Sequence, residues 1–194
     1  MVAVMLAVSL IVRADVTRHA AVGQADLVIA TDIARSLLAS ADIIFDWQDC
    51  NARGECPPVP NGTVAIDVRL VPAGRPGHDD VCGDVVRDPR PRLPVVLIYL
   101  AAIDEKVRRL RFGPAGRSNP LISTLQRGHL IGVTIAHEIG HASGLAHSGR
   151  GVMKADLGVD DVLALRQSHL TFLEKDRARM KAALAATVIL TGSR

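Results

Sequence analysis

The sequence has 194 residues, 48% of them hydrophobic, and a formal net charge of +3. A chain of this length and apolar content can bury a full core, so we expect a single domain over residues 1–194. The basic residues are scattered, and one Trp, one Tyr and three Phe offer few platforms for stacking on bases, which argues against a nucleic-acid partner.

The first twelve residues are almost wholly apolar and admit two interpretations. They are part of a secretory leader, or they begin a first strand that runs to Val16. No Lys or Arg precedes the apolar run and no small-residue cleavage site is evident, whereas its Val, Leu and Ile content suits a strand inside a sheet. The run is too short to cross a membrane comfortably, so we expect no stable membrane span.

The next elements follow from the spacing of the apolar residues. Between Gln24 and Ala41 these residues recur at helical spacing, which predicts a long helix packed behind the sheet. Ile43–Trp47 is a short predicted strand. Thr63–Val71 alternates polar with apolar residues and is predicted to be a third, half-buried strand.

The sequence contains three cysteines, of which Cys50 and Cys56 are close together and Cys82 stands apart. We predict a disulfide bond between Cys50 and Cys56 across a loop that leads into prolines. Such a bond would indicate an oxidising compartment and favours a secreted or extracytoplasmic location. Cys82 would then be a free thiol.

Proline, glycine and charged residues between Pro72 and Pro94 predict a long irregular loop. Within this loop, the run His78-Asp79-Asp80 is either a ligand set for a structural metal or simply solvated.

A continuous apolar run, Pro94–Leu100, predicts the next strand, which is either an exposed edge or buried on both faces. Asp104–Arg111 is predicted to be a short helix, and the basic residues from Lys106 to Arg111 are predicted to form its solvated face. A loop follows from Gly113 to Pro120.

A cluster of metal-binding residue types follows on a predicted helix from Gln126 to Ser143. His137 and His141 are four residues apart and therefore lie on one face of that helix, where both can bind a metal. Glu138 is rotated by about 100° from His137, which suits a general base beside the metal. Gly144 is expected to end the helix in the left-handed conformation, so that His147 returns as a third ligand.

Three imidazoles leave one coordination position open, which is typical of a catalytic zinc ion that activates a water molecule. His129, two turns before His137, is predicted to lie on the helix face or to support the ligands without binding the metal. After this segment, a helical stretch begins at Gly158, and an amphipathic helix is predicted from Glu174 to Ala186.

The string from His137 to His147 has the form H-E-x-x-H-x-x-G-x-x-H and is followed by Met153. It resembles the signature of the metzincins, a clan of zinc-dependent endopeptidases, and the pairs Gly144-Leu145 and His147-Ser148 are most similar to the matrixin branch. The resemblance implies that Met153 is the Met-turn residue, which lies beneath the zinc-binding imidazoles without binding the metal.

The resemblance also implies an α+β fold with a mixed twisted sheet, a backing helix, an active-site helix and a small C-terminal subdomain that ends in a helix. The upper subdomain would cover about residues 1–144 and the lower about 145–194, and the strand at Pro94–Leu100 would form the upper rim of the cleft. Met153 follows His147 by only six residues, a tighter connection than in many relatives, and no Tyr follows Met153. The Asp- and Gly-rich segment that holds structural ions in many matrixins has no counterpart, so we predict neither structural calcium nor structural zinc.

Three functions are compatible with this sequence. The first is hydrolysis of peptide bonds in a peptide or protein substrate by a monomer with one catalytic Zn²⁺ ion and Glu138 as general base. The second is a non-catalytic binding module that is stabilised by zinc, although a structural zinc site prefers four protein ligands and has no use for a carboxylate beside an open position. The third is hydrolysis of a small amide or ester with the same metal chemistry.

Overall fold

A computed structural model describes residues 10–50, 55–74, 80–87, 94–113 and 116–191. The strands are β1 (Leu10–Arg18), β2 (Ile43–Asp49), β3 (Thr63–Val71), β4 (Gly83–Val86) and β5 (Val95–Tyr99). The helices are α1 (Gln24–Ala39), α2 (Leu100–Phe112), α3 (Arg127–Ala142), α4 (Val159–Arg166) and α5 (Glu174–Thr191), with one 3₁₀ turn at Pro120–Ile122.

The five strands form one mixed sheet in the order β2-β1-β3-β5-β4. Four strands are parallel, and β4 is antiparallel to β5 at one edge. Val12, Ala14 and Val16 of β1 are fully buried, as expected for a strand in the interior of a sheet covered by helices. The structure therefore confirms an α+β fold with a mixed sheet.

Strand β4 corrects two predictions about the cleft side of the sheet. The segment from Pro72 to Pro94 is not irregular throughout, because Gly83–Val86 pairs with β5. Strand β5 is consequently flanked by β3 and β4 and is not the rim. It is not buried on both faces either, because Val96 and Ile98 are buried while Val95 and Leu97 are half-buried. Strand β4 has only four residues and no clear alternation of polar and apolar side chains, so its sequence does not predict a strand. Its conformation depends on pairing with β5, which follows it in the chain.

The ends of several elements also differ from the predicted ones. Helix α1 ends at Ala39, two residues early, and α5 continues five residues beyond Ala186. Helix α2 begins at Leu100 instead of Asp104, directly after β5, because Leu100 and Ile103 are buried and continue the apolar surface of the strand. The leader alternative for the first nine residues and the run at His78-Asp79 fall outside the described residues.

Helices α1 and α3 approach each other closely at two glycines of α3. A Cβ atom at Gly128 would lie 2.5 Å from the carbonyl oxygen of Asp26, and one at Gly132 would lie 2.5 Å from that of Ala30. The Asp26 carboxylate also accepts a hydrogen bond of 3.0 Å from the backbone N–H of Gly128, at the start of α3. Because the glycines allow backbone contact, the position of α3 is fixed along its first half.

A buried arginine and a disulfide bond fasten the loop that follows β2 onto the sheet. The Arg13 side chain donates hydrogen bonds to the carbonyl oxygens of Pro57 (2.5 Å) and Pro58 (2.9 Å) and pairs with Asp15 at 2.6 Å. Cys50 and Cys56 are joined by a disulfide bond. The buried guanidinium is thus compensated both by a negative charge and by backbone acceptors.

Within the described ranges, none of the helices combines the length and the apolar character needed to cross a lipid bilayer.

The glycine contact between α1 and α3 predicts the effect of Gly132→Ala. Alanine is the better helix former by about 1 kcal/mol, but the added methyl group would collide with backbone and with Ile33, and overpacking costs about 1–3 kcal/mol. We expect a net loss of about 1–2 kcal/mol in the free energy of unfolding, measured by urea denaturation. Gly149→Ala, with nothing within 4 Å of the new methyl group, is the control and should change stability by less than about 0.5 kcal/mol. Equal stability of the two variants would show that the helices are not in backbone contact.

The disulfide bond gives a second stability prediction. Closing a loop over a sequence separation of 6 residues stabilises a fold by about 2 kcal/mol through the entropy of the unfolded chain. The double variant Cys50→Ala/Cys56→Ala should lose about this amount in urea denaturation, and wild type in dithiothreitol should unfold at the same urea concentration as the variant. If the reductant lowers the stability of the double variant as much as that of wild type, the effect does not come from this bond.

Candidate metal centre and cleft

Three histidine side chains converge at the end of α3. The ring centroids of His137 and His141 are 4.6 Å apart, and the ring of His147 lies 5.3 Å and 4.6 Å from them. One nitrogen atom from each ring lies within 4.8 Å of the other two, so the three can share one metal ion. The structure therefore brings together all three residues that the sequence predicts as ligands.

The turn after α3 explains how His147 comes back to the helix. Gly144 has a φ angle of +85°, the left-handed conformation expected for it. The N–H of Gly144 donates to the carbonyl of His141 (2.9 Å), and that of Leu145 donates to the carbonyl of Gly140 (3.0 Å). These two hydrogen bonds form a Schellman motif, which ends the helix and reverses the chain within three residues.

Backbone carbonyl groups fix the orientation of two imidazoles. His137 Nδ1 lies 2.8 Å from the carbonyl oxygen of Val152, and His141 Nδ1 lies 2.8 Å from that of Leu145. A carbonyl oxygen can only accept, so each Nδ1 carries the proton and each Nε2 keeps a free lone pair. This is the tautomer in which histidine commonly binds zinc through Nε2.

The nitrogens of His141 and His147 fit a zinc ion in distance, and His137 and His141 fit it in protonation. The Nε2 atoms of His141 and His147 are 3.1 Å apart, close to the separation of about 3.3 Å between two nitrogens of a tetrahedral site with Zn–N bonds of about 2.0–2.1 Å. Burial lowers the pKa of His137 to about 4, and it also lowers the pKa of His141. Both imidazoles are therefore neutral near pH 7, as metal binding requires.

Glu138 lies beside the imidazoles and is buried, with only 5% of the residue exposed. Burial, and secondarily the negative charge of Asp84, raise the pKa of Glu138 to about 8. A divalent cation at the three imidazoles would act in the opposite direction and favour the carboxylate. The position of this residue suits exchange of a proton with a group at the metal site.

Strand β4 covers Glu138 at a position where only glycine fits. A Cβ atom on Gly83 would lie 2.8 Å from the Cγ and Oε1 atoms of Glu138 and 2.8 Å from Cγ2 of Thr134. The absence of a side chain at Gly83 therefore makes room for the carboxylate between β4 and α3. The Arg87 side chain, directly after β4, donates a hydrogen bond of 2.7 Å to the carbonyl of His141 and ties the edge strand to the end of α3.

Met153 packs against α3 near the histidine cluster. It is 1% exposed, and a Cβ atom on Gly140 would overlap its sulfur atom, so Met153 packs against α3 next to His141. Its carbonyl oxygen accepts a hydrogen bond of 2.8 Å from the N–H of Ser148, which closes the short connection from His147. The six-residue spacing is therefore long enough for the chain to return beneath the helix.

A cleft of about 730 Å³ opens in front of the histidines. Besides the three histidines and Glu138, it is lined by residues for which the sequence analysis predicted no role at the site, namely Cys82, Gly83, Asp84, Arg87 and Lys106. The run Lys106–Arg111 was predicted to form a solvated helix face, and Arg108 and Arg109 are indeed exposed. The prediction is wrong for Lys106, whose side chain is 20% exposed and forms an ion pair with Asp156 in the cleft wall. The positions of these lining residues depend on contacts between segments that are distant in the chain, and such contacts leave no local pattern in the sequence.

Other candidate residues lie outside the cluster. His129 Nδ1 accepts a hydrogen bond of 3.2 Å from the N–H of Gln126, so this ring caps the start of α3 and is not placed as a ligand. Cys82 is a free thiol, and burial raises its pKa to about 11, which makes it a poor nucleophile. A second grouping, Asp15 with Cys50 and Cys56, has both of its sulfur atoms in the disulfide bond.

Comparisons with known proteins place no family on this chain. No family model matches it, and no match was found among curated proteins or among solved structures. The assignment of chemistry therefore depends on the residues and geometry of the site.

The cluster predicts one zinc ion per chain. Protein purified without chelator and analysed by inductively coupled plasma mass spectrometry should contain about one equivalent of zinc, and His147→Ala should lose most of it because only two ligands remain. His169→Ala removes an exposed histidine outside the cluster and should keep the full equivalent. Zinc absent from wild type after supplementation, or retained equally by both variants, would contradict the three-histidine site.

Proposed function

We propose that this protein is a zinc-dependent endopeptidase in which Glu138 is the general base. The observation that carries the proposal is the convergence of three imidazoles beside a buried carboxylate in an open cleft, with the Nε2 atoms of His137 and His141 free to bind a metal. A purely structural zinc site is normally closed by a fourth protein ligand, whereas a cluster of three histidines leaves that position to a small molecule.

Bound zinc would lower the pKa of a water ligand towards about 7 and polarise the carbonyl group of a substrate. Glu138 would accept a proton from the attacking water molecule and then deliver it to the departing amine nitrogen. Its burial between Thr134 and Gly83 keeps the carboxylate in one place and limits competition from bulk water. Arg87 and Gly83 hold β4 against α3 while this proton is transferred.

Strand β4 favours an extended peptide as the substrate over a small molecule. It lies at the end of the strand order, so the side of β4 that faces away from β5 has no strand partner among the described residues. A peptide chain in extended conformation can form main-chain hydrogen bonds with such an edge. Because Gly83 of this strand contacts Glu138, a peptide bound there would pass directly in front of the metal site.

The test of the proposal is Glu138→Gln. The variant keeps the size of the side chain and all three histidines, so we expect about one zinc per chain and a loss of about 10²–10⁴-fold in hydrolysis of dye-labelled casein. Glu55→Gln, an exposed carboxylate in the loop after β2, makes the same chemical change elsewhere and should hydrolyse casein at the wild-type rate.

The same assay separates the rival functions. Chelation with 1,10-phenanthroline should abolish hydrolysis by wild type, and added zinc should restore it. Wild type that binds zinc yet is as inactive as Glu138→Gln would indicate the non-catalytic binding module. Cleavage of small amides or esters without any cleavage of casein or gelatin would indicate the third function.

A further inference from the structure

The cleft continues beyond the histidines towards α2, and this end has its own set of residues. Its walls include the apolar side chains of Ala102, Leu130 and Val133, and its charged groups include Lys106 and Arg109. Lys106 and Arg109 are three residues apart on α2, so they lie on the same side of that helix. Cys82 also lines this cleft.

The charges of the cleft are distributed unevenly along its length. Asp84 and Arg87 act on the histidine end, where Asp84 influences Glu138 and Arg87 contacts His141. Lys154 also lines the cleft, but its ammonium group is paired with Asp161 at 2.6 Å. At the α2 end, Lys106 is paired with Asp156 and Arg109 with Glu105 at 2.9 Å, so Lys106 is the cation whose acidic partner also lines the cleft. Asp80 is a further acidic residue of the cleft lining.

The two side chains of the Lys106–Asp156 ion pair differ greatly in solvent exposure. The Lys106 side chain is 20% exposed, whereas that of Asp156 is 85% exposed. An aspartate this exposed gains little from the pair, since its charge is well solvated without it. The Lys106 side chain, in contrast, is largely removed from solvent, and the lining of the cleft includes the apolar residues Ala102, Leu130 and Val133. A carboxylate that enters the cleft therefore interacts with Lys106 more strongly than it would in bulk water.

We propose that the α2 end of the cleft is a specificity pocket for a carboxylate of the substrate, bound by Lys106 in exchange for Asp156. This inference depends on the proposed function and names its preferred substrates, which are peptides with an acidic residue near the cleaved bond. The apolar residues of this end accommodate the methylene groups of a glutamate side chain, while Arg109 is paired with Glu105 and leaves Lys106 as the cation that meets the carboxylate. A carboxylate at the C-terminus of a peptide has the same chemistry, and blocked peptides distinguish this source.

The experiment uses three pools of octapeptides, of which the first two differ at one fixed position, Glu in one pool and Gln in the other, with mixed residues elsewhere. Both pools are acetylated and amidated, and a third pool has Gln and a free C-terminus. Cleavage is followed by mass spectrometry, which also gives the position of the cut. We expect wild type to cleave the Glu pool with a kcat/KM about fivefold higher than the Gln pool.

Three variants test whether Lys106 is responsible for the preference for the Glu pool. Lys106→Met keeps the length of the side chain and should reduce the ratio of Glu to Gln cleavage to about one, while Lys106→Glu should reverse it. Arg108→Glu makes the same charge change on the same helix, outside the cleft, and should keep the wild-type ratio. A ratio of one in wild type, or a ratio that Lys106→Met leaves unchanged, overturns the proposal, and so does a preference that appears only for the pool with a free C-terminus.

Failure of the proposed function is recognised separately. If wild type cleaves neither pool, binding of the fluorescently labelled pools to Glu138→Ala is measured by anisotropy. Tighter binding of the Glu pool that Lys106→Met abolishes supports the carboxylate pocket without turnover. Equal binding of both pools overturns the carboxylate pocket, whereas the endopeptidase is judged by the casein assay with Glu138→Gln.

Discussion

The close contact between α1 and α3 is the constraint on which the site depends. Helix α3 supplies two of the three imidazoles and Glu138, and glycines at its start allow its backbone to touch that of α1. The other side of the same helix faces β4 and carries Thr134 and Glu138 towards Gly83. The metal-binding groups are thus attached to a helix whose position is set by backbone contacts, which are stiffer than contacts between long side chains.

Much of the histidine cluster was predictable from the sequence because its geometry is local. His137 and His141 are placed by the period of the helix, and Gly144 and His147 by a turn whose hydrogen bonds all lie within six residues. Helices α1 and α3 and strands β2 and β3 were predicted for the same reason, since each has its own regular apolar pattern. The ends of these elements were predicted less accurately, because the conformation of the terminal residues depends on tertiary contacts.

The wall of the cleft was not predictable. Strand β4 has four residues and no periodic pattern, and it exists because β5 pairs with it. Lys106 belongs to a basic run that is indistinguishable in sequence from a solvated helix face, and only the packing of α2 against the cleft turns this residue inwards. The roles of Gly83 and Arg87 likewise depend on α3, which follows them by about fifty residues in the chain.

The hydrogen bonds that orient His137 and His141 end on main-chain carbonyl oxygens of Val152 and Leu145. A carbonyl group is present whatever the side chain, so no single substitution at either position can delete these acceptors. Where a carboxylate orients a ligand, by contrast, one codon change removes the support. The alignment of the two imidazoles is therefore robust to mutation as long as the turn itself is kept, and sequence drift at these two positions is limited by packing instead of by metal affinity.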